Sequence, residues 1–292
     1  MPRLSFFLLN IFAETAYSGN QLAVIQSDEP LEESTMLAIA RETQYKETAF
    51  ILPKIADAAS YPVRIFTALG ELPYAGHAVL GTAFIIQQVI ENEPSKEVSI
   101  ALPVGQVTLH SESDSRMWMR QLPPEFGEEL PSEVISPVLN LPVNAFHRNY
   151  PVQVVSTGLP FIIVPLVHLD AVRQSRVNRL KYLELINETN AKALYIFCAQ
   201  PYRPENDLNA RMFGEYFGVP EDPATGSASG CLAGYLLHHN FFKLTEFEVR
   251  LEQGYEIKRP SLLFLKGKKE SSTYSVEVGG NIQMVAKGEW VG

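Results

Sequence analysis

Two segments of the chain place chemistry-bearing residues where apolar helices begin. Glu71-Leu72-Pro73-Tyr74-Ala75-Gly76-His77-Ala78 leads into the apolar run 78–89, and Glu221-Asp222-Pro223-Ala224-Thr225-Gly226-Ser227-Ala228 leads into 227–238. Each offers a glycine where backbone must come close, then N–H groups with no acceptor inside the helix. Such an end attracts a carboxylate or phosphate without any basic side chain. The plainer reading is a pair of capped core helices, with Thr225 and Ser227 only satisfying end groups. Glu47, in Tyr45-Lys46-Glu47-Thr48-Ala49-Phe50, stands just before an apolar run. Partial burial there disfavours the charged carboxylate, which suits a general acid/base working near neutral pH. Taken alone, a Glu beside a Lys reads as well as a solvated ion. His77 fits a hydrogen-bonding group at a helix start, and Asp222 fits a turn starter before Pro223.

These segments belong to a repeat that spans the chain. Leu37, Glu42, Thr43 and Lys46 recur as Leu183, Glu188, Thr189 and Lys192, a shift of 146. Arg64-Ile65-Phe66 recurs as Arg211-Met212-Phe213, a shift of 147. Glu71, Pro73, Gly76, Ala78 and Ala83 recur as Glu221, Pro223, Gly226, Ala228 and Ala233, a shift of 150. Leu102 and Gly105 return as Leu251 and Gly254, a shift of 149. The halves differ where chemistry is suspected: Glu47 faces Ala193, His77 faces Ser227, and Leu72 faces Asp222.

The elements that position these residues follow from pattern. Residues 31–43 carry Met36, Leu37, Ile39 and Ala40 at helical spacing, with Pro30 suited to a first turn. Residues 50–52 and 63–66 read as strands, as do 4–12 and 22–25 on either side of the Ser18-Gly19-Asn20 turn. The run 78–89 predicts a helix buried on all sides. Val98, Ile100 and Leu102 alternate with Ser99 and Ala101, a strand leading to a turn at Gly105. The second apolar helix is rich in Ala228, Ser229, Gly230, Ala233 and Gly234, small enough for the two buried helices to meet and turn both N-termini to one cleft. Four prolines among acidic residues predict a solvated linker over 122–137. The fold expected is α+β: two similar mixed halves, 1–121 and 138–280, each wrapped around one buried helix.

Composition narrows the function. With 33 acidic against 24 basic residues, the net charge of −9 and the absence of a dense Lys/Arg cluster oppose a nucleic-acid partner. Two cysteines, Cys198 and Cys231, build neither a disulfide framework nor a Cys-rich metal site, and a reducing, cytoplasmic setting is expected. The apolar stretch 4–12 loosely imitates a signal peptide, but one preceding Arg and an interrupting Asn10 favour a buried strand. No stretch is long and apolar enough for a membrane span. The six histidines form no His-Glu-x-x-His pattern, and no phosphate-cradling Gly loop occurs, so neither metal nor nucleotide cofactor is expected.

Ser18-Gly19-Asn20, Glu47-Thr48-Ala49-Phe50, Arg64-Ile65-Phe66-Thr67 and the two helix-start segments together resemble the phenazine-biosynthesis PhzF-like family. Gln253-Gly254 and Arg259-Pro260-Ser261 extend the match to nearly the whole chain. The resemblance implies a diaminopimelate-epimerase-like fold of two pseudo-symmetric domains, each a curved mixed sheet around a central buried helix, with the active site between them; it also implies a tail, 281–292, that returns to the first half, and a homodimer. Carried over, the family's catalytic glutamate falls on Glu47, supported by His77 and Asp222. Asn20, Gly76, Thr225, Gly226 and Ser227 fall at substrate-binding positions. It also implies a cofactor-independent isomerase in which one carboxylate moves a proton within a small carboxylic acid. The sequence departs from the family where Pro is frequent, at Gln21, Ala68, Ala78 and Glu215, which touches substrate identity and turn geometry more than the fold.

Two rivals use the same scaffold. A two-base racemase or epimerase needs a thiol at each helix start, but Ala75 and Thr225 stand there. A small-acid-binding protein without chemistry would keep the helix ends and use Glu47 for recognition only.

Overall fold

The computed structural model describes residues 3–54, 58–91, 95–113 and 116–291. It divides into two compact units, Met1–Met119 with Gly279–Gly292, and Arg120–Val278.

The first unit opens with β1 (Leu4–Ile11) and β2 (Asn20–Ser27), paired antiparallel from Leu4↔Ser27 to Ile11↔Asn20. The tight return between them needs Gly19: its φ is +71°, and a Cβ there would stand 2.3 Å from the Ile11 carbonyl oxygen. A parallel neighbour cannot be reached by a hairpin, so α1 (Glu33–Thr43) carries the chain over to β3 (Thr48–Ile51), parallel to β2. Met36, Ile39 and Ala40 bury its inner face, and Gln44 ends it in the left-handed conformation at φ +53°. The helix thus starts after Pro30, two residues later than the pattern suggests. Antiparallel β4 (Tyr61–Thr67) and β5 (Gly70–Leu72) lead to α2 (Gly76–Ile85), whose residues from His77 to Ile85 are all buried. The expected helix over 78–89 changes at Ile86 to a wider π-turn that ends at Ile90. Within that turn the buried Gln87 amide donates to the Ser95 carbonyl and to Ser111 Oγ. β6 (Glu97–Leu102) lies parallel to β4, and β7 (Gly105–Ser113) and β8 (Arg116–Arg120) follow antiparallel.

The second unit takes in the region expected to be a solvated linker, 122–137. There β9 (Glu125–Leu130) pairs with a later strand, and α3 (Ser132–Leu139) places Ile135, Val138 and Leu139 in the core. Pro137 and the glutamates occupy exposed positions of these elements, while Ile135, Val138 and Leu139 reach inward. Next come β10 (Val152–Ser156), β11 (Pro160–Pro165), α4 (Leu169–Gln174), α5 (Arg179–Glu188) and β12 (Leu194–Cys198). β13 (Leu208–Gly214), β14 (Val219–Asp222) and α6 (Gly226–His238) precede β15 (Glu246–Gln253), β16 (Ser261–Glu270) and β17 (Thr273–Trp290). From Ile282 to Trp290, β17 pairs with β1, with a bulge at Leu8/Leu9.

The pairings repeat the first unit step for step. β10–β11 is antiparallel, β11–β12 parallel, β12–β13 and β13–β14 antiparallel, β13–β15 parallel and β15–β16 antiparallel. Registers agree as well: Ala49↔Ile65 and Ile65↔Leu72 in one unit match Tyr195↔Met212 and Met212↔Asp222 in the other. The small residues of α6 make room within its own unit. A Cβ on Gly230 would stand 2.8 Å from the Gln121 side chain, and one on Gly234 would stand 2.6 Å from Pro124.

Each unit also ties its hairpin before the buried helix with a two-pronged ion pair. Arg64 donates to Glu71 through Nε (2.7 Å) and Nη2 (2.6 Å), and Arg211 donates to Glu221 through Nε (2.9 Å) and Nη2 (2.8 Å). The Arg211 side chain is 5% exposed against 25% for Arg64, and it also donates to the carbonyls of Val172 and Ser175. Removing one partner of a buried pair strands the other charge, which costs about 3–5 kcal/mol, whereas a solvated pair contributes about 0–1 kcal/mol. Arg211→Ala is therefore expected to lower unfolding free energy well beyond Arg64→Ala, as measured by urea titration of each full-length variant.

Candidate functional site

In the first unit, Glu47 stands on the turn between α1 and β3. That turn is pinned at both ends: Thr43 Oγ1 donates to the Ala40 carbonyl at 3.0 Å, which leaves Thr48 Oγ1 to donate to Thr43 Oγ1 at 2.9 Å. The pinning holds Glu47 inward, 6% exposed, against His77, the second residue of α2, 8% exposed. His77 Nε2 and Glu47 Oε2 are 2.9 Å apart. They have the distance of a hydrogen bond but not its alignment, and neither atom has another hydrogen-bond partner. Two polar atoms buried in this way leave bonding capacity for a third group.

The charge balance at Glu47 corrects the sequence-based expectation. Burial pushes its carboxyl pKa up, as expected, but the electrostatic pull of His77 and of the nearby Lys46 ammonium outweighs it, and the net direction is down. Glu47 therefore rests as a carboxylate, the form that accepts a proton.

Beside the pair is the start of α2. Ala75 occupies the cap position and no side chain caps the helix. The first helical bond is Val79 N–H to the Ala75 carbonyl at 3.0 Å, so the N–H groups of Gly76, His77 and Ala78 precede it. Asn20, 4% exposed, opens β2 opposite Ile11 in the same unit.

The second unit gathers the other candidate residues. Asp222, 2% exposed, ends β14, and its Oδ2 accepts from Thr225 Oγ1 at 2.6 Å. Thr225 thus occupies the cap position of α6 but bonds Asp222 in place of the helix end, so the plain capping reading fails here. Gly226 opens α6, and half-buried Ser227 takes the place that His77 holds in α2. Gln253, at the end of β15, was not singled out by its sequence as a site residue. Its Nε2 donates to the Asp222 backbone carbonyl (2.8 Å) and to Thr225 Oγ1 (3.0 Å), and its Oε1 accepts from Thr225 N–H (3.3 Å) and Tyr195 Oη (2.9 Å). Tyr195 Oη lies 2.8 Å from Ser229 Oγ. The signal available in the sequence was the polar-for-apolar exchange between the halves at these positions.

Thiol chemistry has no support at either helix start. Cys198 and Cys231 are buried, and burial pushes each thiol up to about 11, away from the reactive thiolate. Among the described residues no three His, Cys, Asp or Glu side chains converge as metal ligands, and no helix is long and apolar enough to cross a membrane.

Residues 9–288 match the family model of phenazine biosynthesis-like proteins. An uncharacterized isomerase of Pasteurella multocida is 31% identical over 98% of this chain and 93% of its own. The trans-2,3-dihydro-3-hydroxyanthranilate isomerase of Pseudomonas fluorescens is 28% identical over 95% of each chain. A solved structure of a Bacillus anthracis phenazine biosynthesis protein of the PhzF family is similar over 100% of both chains, with a TM-score of 0.90 and 25% identity.

His77→Gln keeps a polar side chain beside Glu47 but removes the imidazole that lowers the Glu47 pKa. Burial then outweighs what remains, and the Glu47 carboxyl is expected to titrate higher than in the unchanged protein. Carbon-13 NMR of side-chain-labelled glutamate, assigned with Glu47→Gln, reads this directly; an unmoved titration means that His77 does not set the charge of Glu47.

Proposed function

The chain belongs to the phenazine biosynthesis-like protein family and is an isomerase; on that premise we propose that it moves a proton within a small carboxylic acid by the action of one carboxylate, Glu47, without a cofactor. The observation that carries this reading is the buried Glu47–His77 pair, whose facing atoms are close but not hydrogen-bonded to each other. A carboxylate with a lowered pKa is a weak base in water. Held beside the carbon acid in a site that excludes water, it gains effectiveness from placement.

In the proposed step, Glu47 takes a proton from carbon and the electron pair of that C–H bond shifts into the adjoining unsaturated system. The same carboxyl then returns the proton to another carbon on the same face. The double bond moves, one C–H bond is lost and one is formed, and nothing is oxidised. His77 steadies Glu47 as its charge changes, and the uncapped N–H groups at Gly76 and His77 suit an anionic group of the acid. Asp222 with the Thr225, Gly226 and Ser227 helix start binds and orients the acid, as does Asn20. The similarity to the isomerase of Pseudomonas fluorescens supports a cyclic, unsaturated amino or hydroxy acid as the substrate class.

The test is incubation of the unchanged protein and of Glu47→Gln in D2O, with trans-2,3-dihydro-3-hydroxyanthranilate and with a small-molecule extract of the source cells. Mass spectrometry then identifies acids that gain deuterium or rearrange. The expected result is conversion that falls about 100- to 10,000-fold in Glu47→Gln, the range for loss of a general acid/base, with ligand affinity retained. Retention of an acid by both proteins without any conversion would instead identify a binding protein.

A further inference from the structure

The hydrogen bonds around Gln253 run in one direction only, and the direction can be deduced. Tyr195 donates its single proton to Gln253 Oε1, so Tyr195 Oη must accept from Ser229 Oγ. Gln253 Nε2 donates to Thr225 Oγ1 and to the Asp222 carbonyl, so the Thr225 proton is committed to Asp222 Oδ2. The chain runs from Ser229 through Tyr195, Gln253 and Thr225 and ends on a carboxylate oxygen that can only accept. Thr225 is 8% exposed and the other members are 0–2% exposed, so water does not substitute for any of these bonds. Gly254 fixes the far side: its φ is +81°, and a Cβ there would stand 2.7 Å from the Pro223 carbonyl oxygen and 2.3 Å from that of Arg259. The end of β15 is thereby pressed against the Asp222–Thr225 turn.

The first unit provides an internal control. Its registers and helix starts place Ala49 where Tyr195 stands, Leu72 for Asp222, Ala75 for Thr225 and Val79 for Ser229. The end of β6 offers Leu102, Pro103 and Val104 in place of Gln253. The same architecture therefore forms with an apolar filling, and the polar chain is not a requirement of the fold.

We propose that Gln253, oriented by Tyr195 and Ser229, is a positioning residue of the isomerase that holds the Asp222 carboxylate and the Thr225 peptide in the shape needed to bind and turn over the acid. This inference rests on the proposed function for its catalytic consequence. The clamp itself does not depend on it.

The test uses the full-length protein with Gln253→Leu, Tyr195→Phe and Gln253→Glu. It measures kcat and KM on the acid identified by deuterium uptake, with thermal midpoints and backbone hydrogen exchange over 222–227 in parallel. Gln253→Leu is expected to lower kcat about 100-fold, the scale of a small misplacement, on top of a fall in thermal midpoint from the Asp222 carbonyl, Thr225 N–H and Tyr195 Oη left without their partner. Tyr195→Phe is expected to move kcat in the same direction by less. Gln253→Glu adds a carboxyl that faces Asp222 and the Tyr195 phenol. While protonated it keeps one donor for the Thr225 or Asp222 oxygen; once ionised it keeps none and draws the Thr225 proton away from Asp222. Its activity and its 222–227 protection, each relative to the unchanged protein, should therefore fall as pH rises. A role in stability alone would lower the thermal midpoints and leave kcat and the shape of the pH profile alone, which overturns the proposal. Should no acid be turned over, the functional reading fails separately, and the exchange data still decide the clamp: unchanged protection in Gln253→Leu overturns it.

Discussion

A helix buried on every side cannot solvate its own N-terminus, and in both units this constraint decides where polar chemistry can sit. α2 is buried from His77 to Ile85, and α6 from Ala228 to Leu237. Neither has a side-chain cap at its start. The first N–H groups of each helix must therefore meet polar partners brought to them or an anion from outside. The surrounding elements follow from that demand. A hairpin strapped by an Arg–Glu pair delivers the chain to each helix start; the turn into the crossover strand presents Glu47 in one unit, and the strand itself presents Tyr195 in the other.

From this common plan the two units depart in opposite directions. The first puts an acid/base pair beside its helix start and leaves the pair's facing atoms without a formed hydrogen bond. Burying a carboxylate costs several kcal/mol unless it is compensated, and His77 with Lys46 supplies the compensation that keeps Glu47 ionised. The second unit carries a chain of hydrogen bonds that converges on Asp222.

Much of this was legible in the sequence because the repeat aligns the two halves on one another. The shifts of 146 to 150 residues pair Arg64 with Arg211 and Glu71 with Glu221, and the structure puts each couple into the same two-pronged contact. Glu47 and His77 were marked as differences between halves, and they lie together. What sequence could not yield depended on packing. Net burial and net charge at Glu47 are a balance of opposed effects, and only the place of His77 decides its sign. The acidic, proline-rich stretch 122–137 reads as solvated, yet Ile135 is fully buried because α3 turns one face to the core. Gln253 is 28 residues from Thr225 in sequence, and its bonds exist only because Gly254 permits the close approach.

The central claim is that one carboxylate both removes and returns the proton. It is tested most directly by deuterating the donor carbon of the acid and following early turnover in ordinary water. A single-carboxylate shuttle leaves part of the deuterium on the acceptor carbon, on the face from which it was removed. Complete loss of the label to water from the earliest turnovers, or its delivery to the opposite face, would contradict the assignment of both steps to Glu47.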